Sequence, residues 1–333
     1  MRSIIIALSL MLSAGVSFAG EKSIYQGDVI DGPYSHKNLS IFLIHGKNKV
    51  DADNIITLDE AIERKAIIIH ETGDVEELSV ENKGDVHVFI QAGDIIKGGK
   101  QDRILRSDLV VKPKSGKIPV ASFCVEQGRW SQRGNENHRQ FNSSKKAAVS
   151  KKLKLATKQA QLQGDVWGEV AVMQKKLGSR LGESVKSKES SSSLQLTLEN
   201  KELEKKSEEY IRALQNITRG KQDVIGFAFA INGVMNSTDI YGHAVLFKKL
   251  WNKMLESCAV EAISEYDEKK QIEKLTPEMV VTWLKESEKA KKEEERVMND
   301  LTLQVKESDE NVQFETYDKE YKDGYIHKNV IKK

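Results

Sequence analysis

Short apolar runs rich in Ile, Val and Phe, each closed by Gly or Asn, dominate the chain from Ile24 to Trp130. They read LSIFLIHG from Leu39, KAIIIHETG from Lys65, EELSVENKG from Glu76, VHVFIQAG from Val86 and IPVASFCVEQG from Ile118. Such runs are typical of strands between turns, and the glycines within ETGDVEELSVENKGD predict a meander. One helix interrupts them, because Thr57 and Glu60 have the spacing of a capping box.

A pattern rich in Lys, Gln, Ser and Glu follows over residues 143–221. KKLKLATKQAQLQ and WGEVAVMQKKLGSRL predict helices with modest apolar faces, and their charges are most simply a solvated face. KSKESSSSLQ predicts a flexible linker that is mobile near Ser190 to Ser193. The next stretch predicts a helix from the spacing of its apolar residues, which are Leu198, Leu203, Tyr210, Leu214 and Ile217.

The C-terminal third returns to an ordered pattern. VIGFAFAING and VMNSTDIYG predict a hairpin at Asn232-Gly233, and HAVLFKKLWNKMLESCAVEAISEY predicts a long amphipathic helix against the sheet. TPEMVVTWLKESEKAKKEEERV predicts a charged helix with Thr276 as N-cap and Pro277 at its first position. VQFETYDKEYKDGYIHKNVI predicts two short strands around Asp323-Gly324.

These elements predict an α+β fold with a β-rich N-terminal half, a charged helical excursion, and a C-terminal strand-hairpin with long helices. The boundaries that we predict are a signal peptide over 1–19, a β-rich half over 20–142, the helical segment over 143–221 and the second half of the same domain over 222–333.

The first residues have the pattern of a secretory signal. Arg2 precedes an apolar run from Ile4 to Phe18, and small residues at Ser17 and Ala19 predict cleavage after Ala19. An uncleaved anchor is the alternative, but the run is short for a membrane span. We expect an exported protein, periplasmic or secreted, with no stable span after cleavage.

Composition narrows the class of partner. The chain has 333 residues, 39% of them hydrophobic, which is enough for a substantial core. Its net charge of +2 argues against nucleic acid as a partner. An exported compartment permits Cys124 and Cys258 to pair, but each also lies in an apolar pattern that suits a buried thiol.

The stretch QAGDIIKGGKQDRIL resembles a phosphate loop but fails the test for one. A P-loop requires G-x-x-x-x-G-K followed by Ser or Thr. From Gly93 the frame places Gly99 where the Lys belongs, and from Lys100 it places Asp94 at the first Gly and Gln101 at the hydroxyl position.

Two Gly-rich turns, GDIIKGGKQDRILR and CVEQGRW, provide the candidate ligand site, since both follow strands and can meet at one end of a sheet. Backbone amides together with Arg and Lys would form an anion nest. In this hypothesis the backbone of Gly98 and Gly99 forms the nest, and Lys100, Arg103 and Arg129 neutralise the phosphate. Gln101 and Gln127 orient the phosphate, and Glu126 or Asp102 acts as base. The indole of Trp130 stacks on a base or sugar.

A structural interpretation of the same residues stays open. Gly98-Gly99 would then serve a turn with positive φ, Arg103 and Arg129 would pair with Glu126 and Asp102, and Trp130 would be core.

Other chemistries have less support. No His pair has the spacing of a metal site, and among the histidines only His70, beside Glu71, suggests a role. Burial could raise the pKa of carboxylates beside strands, and the acids so placed are Glu71, Asp94, Asp102, Glu126 and Asp239. No G-x-S-x-G motif marks an acyl-transfer hydrolase.

Three blocks of the chain resemble, in order, those of the ARPP domain family, first type, whose name stands for ADP-ribosylglycohydrolase and rhodanese-phosphatase associated protein domain. They begin at Ile56, Ile118 and Val224, and the specific parts are GGKQDR and CVEQGRW. The resemblance implies an association with nucleotide or ADP-ribose chemistry, and it implies no catalytic set.

We therefore expect an exported protein that binds, and in one version also processes, a phosphorylated nucleotide-like or ADP-ribose-like ligand. The alternative is a non-catalytic envelope or secreted protein that binds a protein partner through residues 143–217 and its charged C-terminal helix. The sequence identifies no cofactor, no reaction and no oligomeric state.

Overall fold

The computed structural model has an α+β fold, as the sequence predicted. It describes residues 22–137, 139–147, 149–159, 162–270, 273–298, 300–322 and 324–333. The predicted signal peptide and Asp323 of the predicted C-terminal turn lie outside these ranges, and the domain boundaries stay predictions.

Eighteen strands are formed by the described residues. They are β1 (Lys22–Tyr25), β2 (Asp28–His36), β3 (Leu39–His45), β4 (Ile56–Thr57), β5 (Ile67–Glu71), β6 (Glu77–Asn82), β7 (Val88–Ile90), β8 (Asp94–Gly98), β9 (Arg103–Leu105), β10 (Leu109–Val111), β11 (Lys117–Cys124), β12 (Phe141–Ala147), β13 (Val224–Ile231), β14 (Val234–Tyr241), β15 (Lys292–Met298), β16 (Leu301–Glu307), β17 (Asn311–Asp318) and β18 (His327–Lys332).

Three sheets divide these strands. The largest has nine strands in the order β1-β2-β3-β13-β14-β18-β17-β16-β15, and every neighbouring pair in it is antiparallel. The others have the orders β10-β7-β4 and β12-β8-β9-β11-β6-β5. The predicted meander was wrong beyond the β5–β6 hairpin, because the next neighbour of β6 is β11 and β7 joins another sheet. Such long-range pairing leaves no trace in local periodicity.

Seven α-helices accompany the sheets in the described part of the chain. They are α1 (Leu58–Glu63), α2 (Lys151–Gln159), α3 (Gln163–Leu181), α4 (Leu194–Leu198), α5 (Lys201–Leu214), α6 (Ala244–Ser264) and α7 (Pro277–Ser287). The predicted capping box of α1 is confirmed, since Thr57 Oγ1 accepts from the Glu60 amide at 3.3 Å and Glu60 Oε2 accepts from the Thr57 amide at 2.8 Å.

The helical excursion contributes directly to the main core. Val170 and Leu177 of α3 and Tyr210 of α5 belong to the same buried cluster as Phe227 of the sheet and Leu250 of α6. The charged residues of these helices occupy the opposite faces, as an amphipathic pattern requires. The described residues between 143 and 217 are therefore packed into the fold rather than appended to it.

The predicted hairpin at Asn232-Gly233 joins β13 to β14. Both residues have positive φ, 52° and 78°, as tight hairpin turns require. The register then shifts, because Phe229 pairs with Ser237 while Ala230 pairs with Met235. Asn236 is thus the extra residue of a β-bulge, a device that redirects a side chain.

The predicted charged C-terminal helix was wrong in its second half. Helix α7 ends at Ser287, and Lys292–Met298 instead form β15, paired with the unpredicted strand β16. Local propensity favours helix for Lys and Glu, but cross-strand pairing overrides it. Charge on this outermost strand also discourages pairing with other chains.

A buried histidine connects the large sheet to the loop before β10. Nδ1 of His327 lies 2.9 Å from Asp108 Oδ2, and Nε2 lies 3.1 Å from Asp239 Oδ1. Thr316 Oγ1 donates to the same Asp108 oxygen at 2.7 Å. Burial alone would lower the pKa of His327, but the two carboxylates outweigh it and the pKa is raised.

The raised pKa of His327 predicts a pH-dependent stability. Its contribution should be fully present below about pH 6.5, the unfolded value, and lost as pH rises through the higher folded pKa. His327→Gln should cost about 3–5 kcal/mol, because it removes the cation that lies between the buried Asp108 and Asp239 carboxylates. Urea unfolding from pH 6 to 9 measures both effects.

The matched control is His70→Gln, since His70 lies in a partly exposed pair with Glu81 at 3.2 Å. We expect this control to lose less unfolding free energy than His327→Gln, because a partly exposed pair contributes little. His327→Gln should also flatten the slope of unfolding free energy against pH. Equal slopes in wild type and His327→Gln would contradict the assignment.

Candidate functional site

The two Gly-rich turns of the candidate ligand site lie side by side. Strands β9 and β11 pair so that Arg103 is opposite Cys124, which brings the turn after β8 against the residues after β11. Gln101 Nε2 donates to the Glu126 carbonyl at 2.9 Å, and the Asp102 amide donates to Glu126 Oε2 at 3.1 Å.

The two carboxylates of this region are buried in an ion-pair cluster. Arg133 donates to both oxygens of Asp102 at 2.8 and 3.0 Å, and Arg129 Nε donates to Glu126 Oε2 at 2.8 Å. Burial raises the pKa of Asp102, although Arg133 opposes the effect. Sequence reasoning missed Arg133, since nothing in the polar loop RGNENH distinguishes it from a surface residue.

The backbone amides of the first turn already have protein acceptors. The Gly98 amide donates to Asp102 Oδ1 at 3.1 Å, and the Lys100 amide donates to Glu71 Oε2 at 3.0 Å. Gly98 and Gly99 have φ of 114° and 53°, and a Cβ on Gly99 would lie 2.3 Å from a ring carbon of Phe141. These glycines therefore serve the turn itself, as the structural interpretation expected.

The remaining predicted residues separate into buried and exposed groups. Arg103 is fully buried, and its nearest carboxylate is Glu71 at 3.4 Å rather than Glu126 or Asp102. Trp130 is not core, because 47% of it is exposed, and Lys100 Nζ lies 4.8 Å from its ring centroid. Gln127 is also exposed.

The Ser-rich segment occupies the space beside the second turn. Ser192 Oγ donates to the Gln127 carbonyl at 2.7 Å, and the Leu194 amide donates to the Val125 carbonyl at 3.0 Å. Ser193 is fully buried, caps α4 and donates to Asp102 Oδ2 at 2.9 Å. The structure thus differs here from the expected flexible linker, because polar loop atoms provide partners for its hydroxyls.

The other predicted carboxylates are also paired. Asp94 Oδ1 lies 2.5 Å from Lys253 Nζ, and burial raises the pKa of Asp94. Burial would raise the pKa of Asp239 as well, but Lys154 and His327 outweigh it, so that pKa is lowered. Cys124 and Cys258 are both free and buried, which matches the thiol alternative.

A concave site lies elsewhere, between α2, α3, α6 and the β13–β14 hairpin. This groove has a volume of about 390 Å³. Two of its apolar residues, Val172 and Val234, are 43% and 42% exposed, although most Val side chains are covered. Its lysines include Lys151, Lys152 and Lys270.

The floor of the groove is polar. Asn236, aimed by the bulge, donates from Nδ2 to Glu261 Oε1 at 2.9 Å, and the Lys151 amide donates to the same oxygen at 3.0 Å. Asn236 and Glu261 are only 5% and 3% exposed, and burial raises the pKa of Glu261. Asn236 Oδ1 has no hydrogen-bond partner among the described residues.

Sequence reasoning missed this floor. VMNSTDIY read only as the second strand of a hairpin, and Glu261 lies on the buried face of α6. The available signals were the polar Asn-Ser-Thr within an apolar strand and an acidic residue on an apolar helix face, which is rare without a partner.

Comparison with protein families gives a match over nearly the whole chain. The ARPP-1 family model, described as ARG and Rhodanese-Phosphatase-superfamily-associated Protein domain, matches residues 29–331. The chain belongs to the ARPP-1 family. Comparisons of this ARPP-1 chain with curated proteins and with solved structures give no significant match.

Two further observations concern the ARPP-1 fold in the described ranges. None of the helices there has the length and apolarity needed to cross a bilayer. No group of three or more His, Cys, Asp and Glu side chains suited to a metal ion occurs among those residues.

The ion-pair cluster of the ARPP-1 chain should be structural in effect. Arg133→Ala leaves Asp102 and Glu126 buried with one cation fewer, so we expect a loss of about 3–5 kcal/mol of unfolding free energy. Lys100→Ala removes a less buried cation and should change it by less than about 1 kcal/mol. Urea unfolding of both variants measures the difference, and equal losses would contradict this interpretation.

Proposed function

We propose that the exported ARPP-1 chain binds a phosphorylated, nucleotide-like small molecule in the groove between α2, α3, α6 and the β13–β14 hairpin. The observation that carries this proposal is the unpartnered Asn236 Oδ1 at the floor of the groove. A buried acceptor without a donor is unfavourable, and a bound ligand would supply one. Export is supported by the pattern of Arg2, the apolar run and Ala19.

The charges of the groove favour an anion. Lys176 pairs with Glu265, and the buried Glu261 accepts two hydrogen bonds. The remaining lysines, Lys151, Lys152 and Lys270, outnumber the remaining carboxylates, Glu169 and Glu261. Lysines of this kind are common phosphate partners, and the family description, which names an association with the rhodanese-phosphatase superfamily, is in keeping with such a ligand.

The size and walls of the groove favour a compact ligand with one apolar face. About 390 Å³ lies within the range of small-molecule pockets. Val172 and Val234 offer exposed apolar surface against which a base or sugar ring can pack. The ligand would therefore combine a phosphate near the lysines, a ring at the valines and a hydrogen-bond donor at Asn236.

The predicted loop site has less support as the place of binding. Its amides and carboxylates are engaged by protein partners, so the half-buried Lys100 and the exposed Gln127 and Trp130 remain for a ligand. Direct discrimination between the two places requires one variant at each.

The competing function, partner binding through residues 143–217, also has less support. The apolar faces of α3 and α5 are used in the core, and the second half of the charged C-terminal helix is a strand. Deleting residues 143–217 would remove core residues such as Leu153 and Tyr210, so it would unfold the protein rather than isolate a partner site.

Thermal shift on the chain from Gly20 tests the proposed function, with AMP, ADP, ADP-ribose and sugar phosphates as probes. A ligand at a hundred times its Kd adds about 2.7 kcal/mol of stability. The double variant Lys152→Ala/Lys270→Ala should lose most of the shift while keeping its unliganded Tm, because both residues are exposed.

Lys100→Ala is the control, since it removes a half-buried lysine at the loop site instead of at the groove. We expect it to keep the shift. Loss of the shift in Lys100→Ala alone would move the ligand to the loops, and no shift with any probe would reject the proposed function.

A further inference from the structure

Acceptor oxygens dominate the hydrogen-bonding capacity left at the groove floor. Asn236 Oδ1 has no partner in the described part of the chain. The Glu261 carboxylate accepts hydrogen bonds from the Asn236 side chain and the Lys151 amide, and both go to Oε1, so Oε2 takes part in neither. Acceptors of this kind are satisfied by O–H or N–H groups and not by phosphate oxygens.

Asn236 Oδ1 and Glu261 Oε2 belong to side chains that are joined to each other by a hydrogen bond. The 2.9 Å bond from Asn236 Nδ2 to Glu261 Oε1 holds the amide against the carboxylate. The remaining oxygen of each group is attached to the same carbon as one of the two bonded atoms, so it lies close to that bond. Neighbouring acceptors match neighbouring donors, and hydroxyls on adjacent carbons of a sugar ring provide such a pair.

The bulge makes this arrangement specific. In a regular strand, residues alternate between faces, but the extra residue at Asn236 places its side chain on the face of α6. Ser237 pairs with Phe229, whose ring belongs to the core on that same face. Asn236 therefore reaches Glu261 without displacing the core side chains beside it.

Deeper charges hold this floor in place. Lys154 of α2 is buried, and its Nζ lies 3.8 Å from Asp239 Oδ2 and 5.8 Å from the ring centroid of Phe229. Helix α2 also carries Lys151, whose amide bonds Glu261. The acceptors are thus fixed from both sides, and fixed acceptors discriminate strongly against a ligand that lacks the matching donors.

We propose that Asn236 and Glu261 select a vicinal diol, so that the ligand class is a phosphorylated sugar with adjacent free hydroxyls, as in ribose. This inference rests on the proposed function and adds the chemistry of its specificity. Carboxylates recognise ribose hydroxyls in other folds by the same acceptor chemistry.

Two pairs of probes test the diol directly by isothermal titration on the chain from Gly20. AMP is compared with 2′,3′-dideoxy-AMP, and ribose 5-phosphate with 2-deoxyribose 5-phosphate. Each pair shares its phosphate, and the first shares its base, so a difference reports the hydroxyls. We expect the diol-bearing member to bind at least about tenfold tighter in wild type, the value of about one good hydrogen bond.

Asn236→Ala and Glu261→Gln test the assignment to residues. Both should reduce the preference for the diol toward unity while retaining phosphate-dependent binding. Lys152→Ala/Lys270→Ala should weaken both members of each pair equally and keep the ratio. The wild-type ratio needs no variant, so the inference is testable even where a variant fails to fold.

The outcomes separate the two proposals. Equal binding of both members by wild type overturns the diol and leaves the proposed function standing. A ratio unchanged in folded Asn236→Ala and Glu261→Gln also overturns it, because the selection then lies elsewhere. Binding of none of the four probes, together with no thermal shift from the wider panel, rejects the proposed function itself.

Discussion

The buried pairing of His327 with two carboxylates is the interaction on which the arrangement of the sheets depends. The imidazole on β18 bridges Asp239 on β14 and Asp108 before β10, and it stacks on Tyr241 at 4.8 Å. Removing these groups from water is costly, and the cost is offset only while the geometry is kept. The small sheet and the centre of the large sheet are therefore held in one relative position, since any displacement would leave a charge buried and unpaired.

The buried network around Asp239 also holds the groove rigid. Strand β14 carries both Asp239 and the bulged Asn236, while α2 carries both Lys154 and the amide that bonds Glu261. Because Lys154 faces Asp239, the helix and the strand that form opposite sides of the floor are coupled through a buried pair. A ligand would meet acceptors that are already oriented, which reduces the ordering that binding requires.

Local signals predicted the elements whose causes are local. Thr57 with Glu60 and the Asn232-Gly233 turn specify their own geometry within four residues, and the apolar face of α6 specifies its burial. The prediction of a helix over the residues of β15 was wrong, because pairing with β16 overrides the helical preference of Lys and Glu. The approach of the two Gly turns followed from a rule about strand ends, yet the pairing of Asp102 with Arg133 and Ser193 did not, because those partners lie 31 and 91 residues away. Asn236 escaped notice since one extra residue in a register is invisible to an alternating pattern.

Strand β18 follows every other described element in sequence, yet it lies between β14 and β17 in the middle of the large sheet. Strands β15, β16 and β17 consequently cannot pair with the rest of the large sheet until β18 is in place between β14 and β17. The large sheet is thus complete only after β18 has paired, whatever the order in which the hairpins and helices form. The two parts of the large sheet on either side of β18 therefore stay separate during folding, and they join only when β18 pairs with both β14 and β17.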